Sequence, residues 1–164
     1  MRKILFRGFH EDDNGAQKAY YNGEQHNGYW VEGSLFYDPD LGHYEICGFD
    51  YYVSENGYER EAFNYLVAPK TVGQYIGLTD MNGNKIFEGD LVKDTADNDV
   101  LLAVEGSTPF GFDFRYISDD EDDAYVTAFD IGIDDDMKYL TSAVITGKIY
   151  DNPEMLQEKE TCRD

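Results

Sequence analysis

Short runs of apolar residues recur along the chain, either alternating with polar ones or rich in aromatic and β-branched side chains. Such runs predict β-strands, because successive side chains of a strand point to opposite faces of a sheet. Gly33 lies inside one run, where a glycine often marks a bulge or a close approach of two backbones. The predicted strands are 1–7, 29–36, 43–53, 59–67, 72–79, 85–87, 91–93, 100–104, 110–116, 125–131 and 144–149; for 59–67 a short helix is the alternative.

Turn-forming residues separate the predicted strands. Asn14-Gly15 indicates a hairpin, and Asn82-Gly83 tolerates the positive φ that a tight hairpin turn requires. Pro153, preceded by an asparagine, predicts the start of a short C-terminal helix over 153–159, since asparagine caps helices and proline suits the first helical position.

These elements predict a mainly β protein in which an N-terminal β region, residues 1–69, packs with a C-terminal SH3-like small β-barrel. The barrel and a terminal turn of helix are expected over residues 70–159, followed by a tail at 160–164. A Gly-Asp turn that opens an apolar strand, as at Gly89 and Asp90, is common in SH3-like barrels. One unit spanning the whole chain is the alternative organisation.

The composition is strongly acidic: 34 Asp and Glu stand against 13 Lys and Arg, and the net charge is −21 with histidines neutral. This balance argues against a protein that binds nucleic acid by neutralising phosphates, and against a basic helix on a membrane surface. Hydrophobic residues still make up 41% of the chain and aromatic residues 15%, which suffices for a folded core.

The compartment is predicted from the N-terminal residues and the cysteines. The basic start has no long apolar run, so we expect no signal peptide, and no stretch of about 18 apolar residues predicts a membrane span. The two cysteines, Cys47 and Cys162, do not lie in a zinc-binding spacing. We therefore expect free thiols in a reducing cytoplasm.

Three blocks of sequence carry a family resemblance: 1–9 (MRKILFRGF), 73–92 (GQYIGLTDMNGNKIFEGDLV) and 145–156 (ITGKIYDNPEML). In this order they resemble the YopX family of phage and prophage proteins, and the central block is the most specific. Phe9 stands where that family usually has tryptophan, and the loop between residues 117 and 138 is unusually acidic. The resemblance implies a phage- or prophage-encoded cytoplasmic protein of β-rich fold, with no established activity and no catalytic residues to carry over.

Two clusters of carboxylates are candidate cation sites, because oxygens that converge in a turn bind Ca²⁺ or Mg²⁺. The EF-hand pattern does not fit, since the sixth position counted from the start of the first cluster is Ala124 instead of glycine. We favour a solvated loop that keeps its like charges apart, with adventitious cation binding as the alternative. The candidate metal ligands are Asp119, Asp120, Asp122, Asp134 and Asp136.

The region 113–136 holds ten acidic residues and one basic residue, Arg115. Such a field attracts basic clefts, as expected of an acidic nucleic-acid mimic that blocks a basic DNA- or RNA-handling protein. Solubility and the avoidance of nucleic acid form the simpler interpretation. The candidate partner-binding residues are Asp119, Asp120, Glu121, Asp122, Asp123, Asp134, Asp135 and Asp136.

Patterns that indicate catalysis are sparse. His43 and Cys47 lie too far apart on the predicted strand for a thiolate–imidazole pair, so we favour a core cysteine and an exposed histidine. No Gly-x-Ser-x-Gly elbow and no phosphate-binding glycine loop is present. The sequence predicts a protein without cofactors that binds a host or phage protein without catalysis; a hydrolytic or metal-dependent enzyme is a further alternative.

Aromatic residues crowd the first half of the chain in acidic surroundings, which do not suit the stacking of nucleic-acid bases. Core and cross-strand packing is the interpretation we favour, with a protein–protein interface or a subunit contact as the alternative. A homo-oligomer also stays open, because exposed strand edges can pair. These residues are Tyr20, Tyr21, Tyr29, Trp30, Phe36, Tyr37, Tyr44, Phe49, Tyr51 and Tyr52.

Overall fold

The computed structural model of the chain describes residues 4–55, 57–96, 100–108, 111–117, 125–136 and 138–151. The described part is mainly β, which confirms the predicted class, and its strands form two antiparallel sheets. No helix among the described residues is long and apolar enough to cross a membrane.

The first sheet contains the first seven strands of the chain. In chain order they are β1 (Phe6–Glu11), β2 (Gln17–Tyr21), β3 (Glu24–Asp38), β4 (His43–Ser54), β5 (Gly57–Val67), β6 (Gly73–Thr79) and β7 (Lys85–Phe87). They are arranged in the order β5-β4-β3-β1-β6-β7, and β2 pairs with β3 as well. A 3-10 turn connects β5 to β6.

The second sheet contains five strands in the order β11-β10-β9-β8-β12. They are β8 (Asp90–Asp94), β9 (Val100–Thr108), β10 (Gly111–Tyr116), β11 (Tyr125–Val126) and β12 (Ala143–Lys148). Within the described residues β11 and β12 are its two edges, so the sheet is open and the expected SH3-like barrel is not confirmed. A helix of one turn, α1 (Ala128–Ile131), follows β11, so the strand predicted over 125–131 is only two residues long.

Strands β1 and β2 lie end to end along β3, so the hairpin predicted at Asn14-Gly15 is wrong. The last residue of β1 and the first of β2 both face Gly28, and the residues between them leave the sheet as a loop. The true hairpin turn is Asn22-Gly23, where both residues have positive φ, 55° and 82°. This turn lets β3 begin at Glu24, inside a segment whose polar residues suggest a loop.

Strand β3 changes partner at Gly33. Up to this glycine it pairs with β1, and from Ser34 onwards it pairs with β4. A Cβ atom on Gly33 would lie 2.3 Å from the carbonyl oxygen of Cys47, so only glycine fits where the two backbones meet. The close approach predicted for this glycine is confirmed, and it is the point from which β4 and β5 leave the body of the sheet.

Two buried clusters hold the fold together. The smaller consists of Phe9, Ala19 and Tyr21, against which Trp30 and Tyr150 pack. The larger lies between the β6–β7 hairpin and the second sheet, and its members are Ile76, Ile86, Val92, Leu102, Val104, Phe114, Ile131, Leu140 and Ala143. Strands β6 and β7 therefore join the two sheets, since they pair within the first and pack on the second.

Some expectations stay predictions. The division of the chain at residue 69 is one of them. The C-terminal helix over 153–159, the tail at 160–164 and Cys162 lie outside the described residues.

Candidate functional site

The acidic loop that was expected to bind a partner or a cation is only partly described. Residues 119–123 lie outside the described part, so their roles stay predictions. Asp134, Asp135 and Asp136 lie in the turn between α1 and β12.

The carboxylate of Asp134 is directed onto its own loop. Its oxygens accept hydrogen bonds from the backbone N–H groups of Asp136, Lys138 and Tyr139. Desolvation by burial opposes them, but these hydrogen bonds lower the pKa of Asp134 below its ordinary value. The side chain of Asp136 forms an exposed ion pair of 2.6 Å with Lys138. This geometry is that of a self-capped turn, and within the described ranges no three metal-ligating side chains converge.

Arg115, the one basic residue of the region 113–136, pairs outside that region. Its Nε donates to a carboxylate oxygen of Glu105 on the neighbouring strand β9, at 2.7 Å. Arg115 therefore pairs with an acidic residue outside the region 113–136. It forms no described ion pair with the acidic residues that are near it in sequence.

His43 and Cys47 do not form a catalytic pair. The imidazole of His43 lies 2.8 Å from Glu45, whereas the thiol of Cys47 lies 3.5 Å from the side-chain oxygen of Asn64. Burial and the negative charge of Glu45 raise the pKa of the Cys47 thiol, which keeps it protonated and weakly nucleophilic. Both side chains are half-buried, so the expected core cysteine and exposed histidine are not observed.

A small acidic cleft of about 310 Å³ lies where β1 ends against β3. The ring of His26 stacks on Tyr21 with 4.0 Å between the ring centres and lies 3.5 Å from Glu11. Burial raises the pKa of Tyr21, and its hydroxyl donates to Glu11 at 2.5 Å, which raises that pKa further. A carboxylate oxygen of Asp12, which also lines the cleft, caps the backbone N–H of Asn14. These polar groups therefore hold the loop between β1 and β2.

The ends of β4 and β5 form a two-stranded ribbon that extends beyond β3. The pairing of β3 with β4 ends at Cys47, so residues 48–54 have β5 as their one described neighbour. We call residues 48–54 and 57–62 the aromatic ribbon. Five consecutive side chains of β4, residues 49–53, are exposed, which means that both faces of this ribbon are in contact with solvent.

One face of the aromatic ribbon is apolar. Directly opposite residues of an antiparallel pair share a face. The register pairs Phe49 with Ala62, Tyr51 with Arg60, and Val53 with Tyr58. Phe49, Tyr51, Val53 and Tyr58 are 50%, 73%, 74% and 92% exposed. The one charged group on this face is the Arg60 guanidinium, which lies 4.8 Å from the centre of the Phe49 ring.

The other face of the aromatic ribbon is acidic. Asp50 lies opposite Glu61, and Tyr52 lies opposite Glu59. Glu59 accepts hydrogen bonds from the hydroxyls of Tyr52 and Ser54. Neither Asp50 nor Glu61 forms an ion pair with another described residue, so two like charges face each other across the strands.

A shallow groove of about 620 Å³ lies at the base of the aromatic ribbon. Its walls come from the chain just before β1, from the middle of β3 and from the first residues of the ribbon, and include Leu5, Val31, Cys47, Phe49 and Phe63. The apolar face of the ribbon therefore continues into a partly apolar groove in the first sheet.

The three family-like blocks meet at a buried ion pair between the sheets. Arg7 of the first block contacts Asp90 of the central block at 2.6 Å, and both side chains are buried. The guanidinium also lies over the rings of Phe87 and Trp30, at 4.6 and 5.1 Å from their centres. Burial raises the pKa of the Asp90 carboxyl, and Arg7 opposes that effect.

The C-terminal block completes this junction. The backbone N–H of Ile149 donates to Gly89, and the carbonyl oxygen of Tyr150 accepts from the N–H of Tyr20. Burial raises the pKa of Tyr150 to about 12, and its hydroxyl donates to the carbonyl oxygen of Lys70 at 2.7 Å. Apart from the buried Nε of Arg7, which has no hydrogen-bond partner among the described residues, these polar groups bond within the protein, so the junction is best explained as a structural contact between the two sheets.

Comparison with known proteins gives three findings. The model of a family described as YopX protein matches residues 6–157. No curated protein matches the chain. The crystal structure of protein EF1440 from Enterococcus faecalis is similar, with 19% identity over 96% of this chain and 100% of that chain, and a TM-score of 0.47.

The sequence pattern placed the candidate site in the acidic loop, gave an interface through Phe49, Tyr51 and Tyr52 only as the less favoured alternative, and did not indicate Tyr58. The favoured prediction of core and cross-strand packing holds for the buried Tyr21 and for Tyr37 and Tyr44, whose rings lie 4.9 Å apart across β3 and β4. The side chains of Phe49, Tyr51 and Tyr52 are exposed and do not lie in the core. A sequence signal for the exposed ribbon was the length of the two predicted strands on either side of residue 56. A hairpin that long is expected to extend past the strand beside it, here β3.

Proposed function

This chain belongs to the YopX family, and on that premise we propose that it is a non-catalytic accessory protein of a phage or prophage. In this proposal it acts in the bacterial cytoplasm by binding a host or phage protein through the aromatic ribbon.

The apolar face of the aromatic ribbon carries this proposal. Large contiguous apolar patches are rare on proteins that act alone and mark interaction sites. Tyr51 and Tyr58 are suited to such a site, because aromatic side chains supply large contact areas with few rotatable bonds. A two-stranded ribbon in water is also marginally stable by itself, so a partner that covers it would stabilise the bound form.

The proposal assigns no catalytic role to three side chains whose chemistry could otherwise carry one. The thiol of Cys47, the imidazole of His43 and the carboxylate of Asp134 each have a structural partner. None of these partnerships places a nucleophile beside a general base, as covalent catalysis requires.

The proposal is tested by using the protein as bait in a lysate of the bacterium that carries its gene. We expect a retained protein that is lost with the variant Tyr51→Ser/Tyr58→Ser, because its apolar contact is removed. Leu41→Ser is the matched control, since Leu41 is also an exposed apolar residue but lies in the turn between β3 and β4. Equal retention by wild-type and ribbon variant, or no retention at all, contradicts the proposal.

An acidic nucleic-acid mimic is the second candidate. The pairing of Arg115 with Glu105 favours it, because the positive charge of Arg115 is then paired with an acid outside the region 113–136 and not with one inside it. This candidate requires binding to a basic DNA- or RNA-handling protein that weakens as salt rises. Reversing the charges of residues 119–123 should weaken that binding, and unchanged binding would eliminate this candidate.

A further inference from the structure

We propose that the outer edge of β5 binds an extended segment of the partner protein in which apolar and basic residues alternate. This inference rests on the proposed function and specifies the chemistry of its partner. The segment would add a strand beside β5 and place its apolar side chains on one face of the aromatic ribbon and its basic side chains on the other.

The edge of β5 provides the backbone groups for this addition. β5 is the terminal strand of the first sheet, and its described pairing is with β4 on one side. On the other side its last residues approach β1, where the N–H of Ala68 donates to Phe9 and His10 contacts the carbonyl oxygen of Leu66. Residues 57–64 have no such neighbour among the described strands and present an edge about eight residues long.

The two faces of the ribbon set the alternation. Next to Tyr58 and Ala62 an added strand would meet exposed apolar surface, and Arg60 on that face would repel a basic side chain. Next to Glu59 and Glu61 it would meet carboxylates, with Asp50 behind them on β4. Adjacent residues of the bound segment would therefore encounter opposite environments, because side chains alternate between faces.

Charge complementarity selects a basic segment over a second copy of this chain. A cation between Asp50 and Glu61 would relieve the repulsion between two carboxylates that face each other. A second copy would instead bring another chain of net charge −21 and its own acidic face to this edge. The edge is thus suited to a partner of opposite charge.

The test uses a synthetic peptide of about eight residues in which lysine and valine alternate, titrated into the full-length protein by calorimetry. We expect binding that weakens with salt and falls about tenfold or more when the peptide amides on one edge are N-methylated, because strand pairing is then blocked. A peptide of the same composition with its lysines and valines in separate blocks should bind at least about tenfold more weakly.

The protein variants are matched in charge. Asp50→Asn/Glu61→Gln should lower the affinity for the alternating peptide about tenfold, whereas Asp13→Asn/Asp40→Asn, which removes two exposed carboxylates elsewhere, should change it by less than about twofold. Both variants are checked by thermal unfolding, and the peptide controls give a result even where a variant does not fold.

Three outcomes overturn the inference: no binding of the alternating peptide, equal binding of the N-methylated or block peptide, or a dimer in sedimentation that excludes the peptide from β5. In each case a cellular protein that is retained by the wild type and lost with Tyr51→Ser/Tyr58→Ser would leave the proposed function intact. If the lysate experiment retains no such protein while the peptide binds as expected, the proposed cellular function fails. The inference that the β5 edge binds a segment of alternating apolar and basic residues is then retained.

Discussion

At the scale of single residues, the buried pair of Arg7 and Asp90 has the largest expected effect on stability. The two side chains contact each other at 2.6 Å between the sheets, and a second oxygen of Asp90 accepts the N–H of Phe87 at 2.8 Å. Removing one partner of such a pair leaves the other charge buried without compensation, which costs more than the pair itself contributes.

We therefore expect Asp90→Ala to lower the free energy of unfolding by about 3–5 kcal/mol, measured by urea denaturation. The double variant Arg7→Met/Asp90→Leu should recover part of that loss, since it leaves no buried charge uncompensated, although the Phe87 N–H is left without its acceptor. If the double variant is as unstable as the single one, the loss of stability comes from packing or from the unpaired Phe87 N–H, and not from the unpaired charge of Arg7.

Asp80 makes a second residue-scale prediction, about pH. Its buried carboxylate accepts hydrogen bonds from the backbone N–H groups of Asn82, Asn84 and Ile145 and from the Asn84 side chain. Desolvation by burial raises its pKa, but these hydrogen bonds prevail and lower it below the ordinary 3.8. The ionised form is thus favoured by folding, so its stabilisation is complete above pH 3.8 and is lost as the pH falls towards the lower folded value.

Acid unfolding of Asp80→Asn measures this contribution. The variant should be less stable than the wild type at neutral pH, and the difference should shrink as the pH falls below about 4. Asp135→Asn is the control, because it removes one exposed carboxylate and so matches the change in net charge. If the free energy of unfolding of Asp80→Asn differs from that of the wild type by the same amount at all pH values, the lowered pKa of Asp80 is not the cause of the difference.

At the scale of elements, the sequence predicted most strands but not which strands pair. Asn14-Gly15 has the composition of a hairpin turn, yet the chain resumes along the same partner strand after it. The Asn82-Gly83 turn forms as expected, although only Gly83 has positive φ, because Asp80 caps the turn with its side chain. A local pattern shows that a segment can form a turn. Which strands then pair depends on residues far away in the sequence, which a local pattern does not include.

The aromatic ribbon should be the least protected long element of the described fold. It has two strands and both of its faces are exposed, whereas β8 and β9 lie over a buried cluster that includes Val92 and Leu102. Hydrogen exchange measured by mass spectrometry should show faster exchange over residues 49–53 and 58–62 than over β8 and β9. Equal protection of both regions would show that the ribbon is stabilised by contacts that the exposure of its side chains does not indicate.

At the scale of the whole molecule, the sequence identified the acidic surplus and the family but not the candidate binding site. Composition gave the net charge of −21, and three blocks indicated the family to which the chain belongs. The structure brings these blocks together at the Arg7–Asp90 junction, which accounts for them as structural elements. The alternation of apolar and polar residues did not single out the apolar face around Tyr51 and Tyr58, because alternation does not reveal whether another layer covers a strand.

Photo-crosslinking in the cell tests the central claim, that the aromatic ribbon contacts a partner protein, most directly. A photoreactive phenylalanine analogue replaces Tyr58, and in a parallel experiment Leu41, which is 70% exposed in the turn between β3 and β4. We predict a discrete crosslinked protein from position 58 that is absent from position 41. No crosslinked protein at position 58, or the same products from both positions, would contradict the account.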